Sequence, residues 1–254
     1  MERNKKILFS DKNHISSIAK EESFQLENYL EVVRSFSRLT YESIYVIDYK
    51  DMVFEFVSDN PLFLCGHTPA EVQESGYDFY LKNVHPDDLE LLTVINTEGF
   101  NFFDKLPNDE DRKSYTITYD FRLINEKGKP MLISHKLTPV FLTNEGKIWK
   151  AICVVSLSNN QKSGNIIISK QGSGSIWKLD TGSREWLVEQ KQKLSPKEIE
   201  ILRLYTQGYS INQIAEMTFV TSDTVKYHRR KIFENFGVSN ITEALFYAIN
   251  NKLI

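Results

Sequence analysis

The feature that most constrains this chain is the segment 194–238, which predicts three helices joined by two short turns. Ser195 is placed to cap the first helix, and Glu198 stands three residues later, as a capping box requires. A proline follows the cap, where its restricted φ angle suits the first helical position. Ser210 and Gln213 repeat the same spacing for a second, shorter helix. The starts of these helices are therefore defined by local chemistry.

The third helix of the segment should begin at Thr221 or Ser222 and run to about Phe236, where Gly237 ends it. One side of this helix is apolar. The other side carries one acidic, one aromatic and two basic residues at helical spacing: Asp223, Lys226, Tyr227 and Arg230. A fourth helix is predicted after Asn240. A helix, a tight turn and a second helix form the motif that places a helix in the major groove of DNA.

Residues 194–254 resemble the LuxR/GerE-type DNA-binding domain. The matching residues keep the family's spacing: Leu194, Glu198, Leu202, Gly208, Ser210, Ile214, Ala215, Thr224, Val225, Lys226, His228, Ile232, Gly237, Val238 and Ala244. The chain departs from the family at Lys231, where asparagine is usual, and at Phe219, where a turn glycine is common. It departs again at Thr218, where an apolar residue is usual. The resemblance implies an all-α domain of four helices.

The resemblance also implies a set of DNA-binding residues, to which we add the basic Lys231 of the same helix: Thr221, Thr224, Lys226, Tyr227, His228 and Arg230. Of these, Lys226, Tyr227 and Arg230 occupy base-facing positions, and lysine and arginine commonly bind guanine O6 and N7. Thr221 and Thr224 are expected near phosphates. His228 has two interpretations, a phosphate contact or a half-buried structural residue.

Charge favours binding by two copies of the chain. Residues 194–254 carry seven basic and six acidic residues, so positive charge is confined to the third helix. One such domain neutralises few phosphates, and few neutralised phosphates give weak binding. We therefore expect a homodimer on double-stranded DNA. The family's dimer surface is the fourth helix, which points to Ala244, Leu245 and Ala248.

An antiparallel sheet is predicted in residues 40–158. Two strand-like runs flank the turn Tyr49–Met52, short helices follow, and a longer helix begins after His85. Three further strands are expected at Tyr115–Asn125, Pro130–Leu142 and Lys147–Ser158. Asp87 and Asp88 fall in the first turn of the long helix, where carboxylates favour the helix dipole.

This order of elements resembles a PAS domain. The motifs that carry the likeness are Gly66-His67-Thr68-Pro69-Ala70-Glu71 and Val84-His85-Pro86-Asp87-Asp88. PAS domains hold a small molecule or dimerise. The flavin-binding cysteine signature and a haem-ligating histidine are absent here, so we predict no cofactor and leave an unidentified small-molecule ligand as a candidate.

The predicted fold class is α+β, with a PAS-like antiparallel sheet and helices followed by the all-α domain. The predicted divisions are a helical segment at 1–39, a PAS-like domain at 40–158, a linker at 159–193 and the DNA-binding domain at 194–254. Within the linker, strands at Asn165–Lys170 and Ile176–Asp180 suggest a hairpin that packs on the PAS-like domain or on a partner subunit. A flexible linker is the alternative.

These features predict a cytoplasmic, one-component transcription regulator that is not an enzyme. Two widely separated cysteines suggest neither a disulfide nor a zinc framework. The N-terminal stretch lacks the apolar core of a signal peptide, and no apolar run has the length of a membrane span. Two alternatives remain: a sigma-factor-like subunit, or a PAS interaction module that its DNA-binding domain localises. RNA polymerase is a second candidate partner.

Overall fold

A computed structural model describes residues 29–251 and 253–254, and the chain divides into two compact units between Glu189 and Gln190. The helices of the first unit are α1 (Tyr29–Ser37), α2 (Pro61–Leu64), α3 (Pro69–Ser75), α4 (Asp78–Asn83) and α5 (Pro86–Asp104). Its strands are β1 (Ser43–Asp48), β2 (Val53–Val57), β3 (Tyr115–Ile124), β4 (Pro130–Leu142), β5 (Ile148–Leu157), β6 (Gly164–Lys170), β7 (Ser175–Asp180) and β8 (Glu185–Gln190). None of the described helices combines the length and apolar content that a membrane span requires.

The strands form one sheet in the order β2-β1-β5-β4-β3-β6-β7-β8. Helices α2 to α5 lie between β2 and β3 in the chain, and β3, β4 and β5 follow one another as antiparallel neighbours. This arrangement of the first five strands confirms the predicted PAS-like antiparallel sheet with helices. All five of these strands were predicted from the sequence.

The segment predicted as a linker with a hairpin forms that hairpin, and the hairpin belongs to the same sheet. Strand β6 pairs with β3, with Tyr115 opposite Lys170, and β7 continues the sheet beyond β6. The physical reason is the alternation of Ile166 and Ile168, which bury their side chains in the core of the first unit. The sheet therefore does not stop at residue 158, the boundary predicted from the sequence.

Aromatic side chains fill the core on the inner face of the sheet. Tyr45 stacks on Phe63 with ring centroids 4.3 Å apart, and Phe54 meets both rings at larger angles.

Helix α1 covers β1, β2 and β5, where Val33 packs in one cluster with Ile44, Val46 and Phe56. Of the helical segment predicted at 1–39, residues 1–28 lie outside the described part of the chain. The side chains of Phe36 and Leu39 are exposed.

A buried lysine links α1 to the sheet. The ammonium of Lys150 lies 3.1 Å from Asp48 Oδ2 and 2.6 Å from Glu55 Oε2, and Tyr29 of α1 donates a hydrogen bond to Glu55. Burying one cation with two carboxylates is favourable only while all partners remain in place. The cluster therefore anchors α1 through Tyr29.

The start of α5 is held by an ion pair. His85 caps the helix by accepting from the Asp87 amide, while Asp88 accepts from Nε and Nη2 of Arg122 at 3.0 and 2.6 Å. Ser163, just before β6, donates to the same carboxylate at 2.6 Å. Burial alone would raise the pKa of Asp88, but these hydrogen bonds hold it below its usual range. Asp88 therefore joins α5, β3 and the start of β6, a role that its position in the helix did not reveal.

A second carboxylate holds the loop between β5 and β6. Asp120 is buried and accepts hydrogen bonds from the amides of Asn160 and Asn165, at 2.6 and 2.8 Å. Burial raises the pKa of Asp120, and the amide hydrogen bonds offset part of that effect. Asp88 and Asp120 together tie the added strands to the first five.

The second unit contains four helices: α6 (Pro196–Thr206), α7 (Ile211–Met217), α8 (Ser222–Phe236) and α9 (Ile241–Asn250). Both predicted capping boxes are present, formed by Ser195 with Glu198 and by Ser210 with Gln213. Gly237 ends α8 in the left-handed conformation at φ +67°. The predicted all-α domain of four helices is confirmed.

Candidate nucleic-acid interface

Two departures from the family pattern meet in the turn between α7 and α8. Thr218 is buried, and its hydroxyl donates to the Ile214 carbonyl at 2.7 Å, which satisfies a polar group at an apolar site. Phe219 adopts φ +55°, a conformation that glycine reaches without strain, and its side chain is 95% exposed. The turn keeps the helix-turn-helix geometry with a strained residue at its centre.

Helix α8 has one buried and one exposed face. Val225, Ile232 and Phe236 bury their side chains in the second unit, so the rotation of the helix about its axis is set by packing. Thr221 caps the helix by accepting from the Thr224 amide at 3.2 Å. The opposite face is consequently directed to solvent.

The exposed face carries the residues predicted to contact bases. The side chains of Lys226 and Arg230 are 55% and 73% exposed, and Tyr227 lies between them. Lys226 pairs with Asp223 at 2.9 Å. Surface pairs of this kind contribute about 0–1 kcal/mol, so another anion can displace Asp223 at small cost. These groups line an open groove along α8 that suits hydrogen bonding to phosphates or base edges.

Two of the predicted DNA-binding residues turn toward α6. Lys231 Nζ lies 3.2 Å from Glu198 Oε1, and His228 Nδ1 lies 3.9 Å from the same oxygen. Glu198 is only 2% exposed at its side chain. The seven predicted residues therefore divide into an outward group of five and a pair beside Glu198, of which Lys231 remains about half exposed. Sequence reasoning missed Glu198 as the partner of this pair, although its capping-box position was recognised.

Glu198 is held as a carboxylate. Burial alone would raise its pKa, but hydrogen bonds from the amide and hydroxyl of Ser195, both 2.8 Å long, and the ammonium of Lys231 outweigh this effect. The pKa of Glu198 consequently lies below its usual range. A buried negative charge thus stands beneath the basic helix and holds Lys231.

The predicted dimer surface on α9 needs correction. Ala244 and Ala248 are fully buried in the core of the second unit, against Leu202, Ile232 and Phe236. Leu245 is only partly buried against the same cluster. The prediction was wrong for the two alanines, because both side chains face the core of the unit. Their small size allows α9 to pack closely against its neighbours there. The apolar side chains that α9 exposes are Phe246 and Ile249.

Small-molecule binding by the first unit would require a cavity of suitable volume. A cavity of about 30 Å³ lies between α5 and the sheet, with Tyr49 and Tyr119 among its lining residues. This volume suits a water molecule, whereas pockets for drug-sized ligands have about 300–1,000 Å³. Nearby, the phenol of Tyr45 bonds to both Tyr80 and His135, and burial lowers the pKa of His135 to about 3. The imidazole is therefore neutral.

The C-terminal unit matches a known protein family. Residues 192–248 match the family of bacterial regulatory proteins described as the luxR family. The transcriptional activator protein BglJ of Escherichia coli (strain K12) is 38% identical over 61 residues, which are 24% of this chain and 27% of that protein. The oxygen regulatory protein NreC of Staphylococcus aureus (strain JH9) is 39% identical over 61 residues, 24% of this chain and 28% of that protein. The chain thus spans about a quarter of the length of these relatives.

Among solved structures, a Vibrio cholerae VqmA dimer aligns over 88% of both chains at 17% identity, with a TM-score of 0.35. A PAS domain from Colwellia psychrerythraea aligns over 51% of this chain and 96% of its own, at 13% identity and a TM-score of 0.38.

Proposed function

We propose that this chain, whose residues 192–248 are a LuxR-type helix-turn-helix domain, is a cytoplasmic transcription regulator that binds double-stranded DNA as a homodimer. The observation that carries the proposal is the exposed face of α8. Lys226, Tyr227 and Arg230 stand together on it, while the opposite face is locked in the core. A helix held in this way presents its polar groups to a groove in one orientation.

The five outward residues would contact different parts of the DNA. Lys226 and Arg230 are one helical turn apart on the exposed face, so each can meet a different base edge in the major groove. Thr221 and Thr224 stand at the start of α8, where hydroxyls and backbone amides are placed for phosphate oxygens. Lys231 would contribute less, because it is engaged by Glu198.

The PAS-like unit would control how two copies pair. The cavity of about 30 Å³ between α5 and the sheet is itself too small for a drug-sized molecule, and we infer that this unit acts through its surfaces. The same observation favours a second candidate function, a protein-interaction module that the DNA-binding domain localises. A partner protein would then be required for any effect on transcription.

The test begins with selection of duplexes from a randomised library by the full chain. Binding of the selected duplex is then measured by fluorescence anisotropy over a series of salt concentrations. The logarithm of the affinity should fall with the logarithm of the salt concentration, because each neutralised phosphate releases counterions. Absence of salt-sensitive binding to any duplex would contradict the proposal.

Variants locate the interface. Lys226→Ala with Arg230→Ala should lower specific affinity about 30-fold or more, since each good base contact contributes about 1–3 kcal/mol. Lys193→Ala with Arg203→Ala is the matched control, because it removes the same charge from two exposed cations outside α8. Equal losses for the control and the double variant would show that net charge, rather than the α8 face, governs binding.

A further inference from the structure

The second unit contains one side chain of the type that changes charge near neutral pH. Residues 190–254 include His228 and no other histidine, and they include no cysteine. Histidine is the side chain that ordinarily gains or loses its proton between about pH 5 and pH 8. His228 stands on α8, the helix proposed to contact DNA. A proton exchanged by this unit near neutral pH is therefore assigned to one position on that helix.

His228 shares a stripe of α8 with the two threonines expected near phosphates. Thr221, Thr224, His228 and Lys231 follow one another at spacings of three, four and three residues, which places them on one side of the helix. The hydroxyls of Thr221 and Thr224 lie 2.9 Å apart at the start of the stripe. His228 comes one turn, or about 6 Å, further along the helix axis. It is therefore placed beside the DNA backbone that the threonines approach.

One ring nitrogen of His228 faces a buried carboxylate. Its Nδ1 lies 3.9 Å from Glu198 Oε1, and this nitrogen is buried without a hydrogen bond to any described residue. Lys231 Nζ lies 3.2 Å from the same oxygen, and the Tyr227 ring centroid is 5.6 Å from that of the imidazole. No charged side chain of α7 or α9 forms an ion pair with His228 in the described part of the chain. The side chain is 20% exposed, so its exposed atoms lie on the ring away from Nδ1.

Only the protonated ring suits a carboxylate on one side and a phosphate on the other. Both partners accept hydrogen bonds, whereas a neutral imidazole has one donor and one acceptor nitrogen. Each neutral tautomer therefore turns an acceptor toward one of the two anions, while the imidazolium has a donor for each. Charge acts in the same direction. The charges of Glu198 and Lys231 cancel, so protonation of His228 leaves one net positive charge beside the phosphate.

We propose that His228 binds a DNA phosphate in its protonated form, so that DNA binding takes up a proton from solvent. The inference rests on the proposed function and adds a regulated contact to the same interface. Nδ1 of the bound ring donates toward Glu198, and Nε2 donates to a phosphate oxygen. By linkage, a complex that holds more protons than its free components tightens as the pH falls and weakens as the pH rises. The effect falls between about pH 5 and pH 8, where histidine changes charge.

Binding of the selected duplex by the full chain, measured by anisotropy at fixed ionic strength, tests the proposal. The affinity should be at least about fivefold higher at about pH 6 than at about pH 8, because each proton taken up changes affinity by up to about tenfold per pH unit. The salt series supplies a second readout. The slope of log affinity against log salt should be steeper at the lower pH by about 0.9 for each added phosphate contact.

Variants assign the proton to His228. His228→Gln keeps a neutral hydrogen-bond donor and should show equal affinities and equal salt slopes at the two pH values. His228→Arg carries a permanent charge, so its affinity should exceed that of His228→Gln at both pH values without depending on pH. His67→Gln is the matched control, because it removes an exposed histidine of the first unit and should keep the native pH dependence.

Calorimetry of the native chain with the duplex, in two buffers of different ionisation enthalpy, counts the protons without any substitution. Uptake of a proton per copy supports the inference. A native chain that binds DNA without proton uptake, or a His228→Gln variant that keeps the native pH dependence, would overturn it and leave the proposed function standing. A native chain that binds no duplex at any pH would instead contradict the proposed function.

Discussion

The buried carboxylate beneath the DNA-facing helix gives the sharpest stability prediction. Glu198→Gln keeps the shape of the side chain and removes its charge. The capping box should survive, because glutamine serves the same position in α7, where Gln213 bonds to Ser210. The change therefore isolates the attraction between Glu198 and Lys231, whose charged atoms are 3.2 Å apart.

The expected loss of stability is modest, because only one partner of the ion pair is buried. A buried pair that loses one partner costs about 3–5 kcal/mol, whereas an exposed pair contributes about 0–1 kcal/mol. Glu198 is buried but Lys231 is about half exposed, so water replaces part of the lost interaction. We expect Glu198→Gln to lower the unfolding free energy of the second unit by about 1 kcal/mol. Glu198→Ala should cost more, because it also leaves Ser195 without its acceptor.

The assay is amide hydrogen exchange of α6 and α8 in the full chain, measured by mass spectrometry. Tryptophan fluorescence would not report the change, because Trp149, Trp177 and Trp186 all lie in the first unit. A double-mutant cycle with Lys231→Met should return a coupling energy near 1 kcal/mol. A coupling energy indistinguishable from zero would refute the argument that Glu198 holds Lys231.

The same pair predicts a dependence on pH. Because the pKa of Glu198 is lowered by folding, its stabilising contribution is fully present above the unfolded value of about 4.3. The contribution is lost as the pH falls through the lower folded value. Protection of α6 and α8 should consequently decline in acid more steeply in the native chain than in Glu198→Gln. Parallel pH profiles for the two proteins would contradict this prediction.

Three further predictions concern strain, buried charge and packing. Phe219→Gly should stabilise the second unit by about 1 kcal/mol in hydrogen exchange, because it relieves a positive φ and loses little burial; a destabilised variant would contradict the role of strain. Lys150→Ala should cost the first unit about 3 kcal/mol in urea unfolding followed by tryptophan fluorescence, since Asp48 and Glu55 lose their cation; an unchanged midpoint would refute it. Ala248→Leu should destabilise the second unit by about 1–3 kcal/mol through overpacking, and a stable variant would place Ala248 at a surface after all.

The helix boundaries of the second unit were predictable because their signals are local. Ser195, Ser210 and Asn240 each cap a helix through a hydrogen bond within three residues, so the sequence around them is sufficient. The rotation of α8 was predictable as well, because Val225 and Ile232 recur at helical spacing. These interactions do not depend on distant parts of the chain.

The remaining features depend on contacts between distant residues. Asp88 lies at a helix start in the sequence, yet its partners Arg122 and Ser163 are 34 and 75 residues away. Strand β8 shows no apolar alternation because nearly all of its side chains are exposed. Ala248 fits a close helix contact and a dimer contact equally well until its neighbours are known. In each case, the missing information is the identity of a neighbour in space.

The way the loop after β5 is held has a consequence for how such chains can be recombined in evolution. Asp88 accepts a hydrogen bond from Ser163, and Asp120 accepts from Asn160 and Asn165, all just before or at the start of β6, so the strands beyond β5 belong energetically to the PAS-like unit. A crossover near residue 158 would separate these carboxylates from their partners and leave β3 with a bare edge. Exchange of output domains should therefore succeed only after residue 189. In this chain, the interchangeable part begins where the sheet ends.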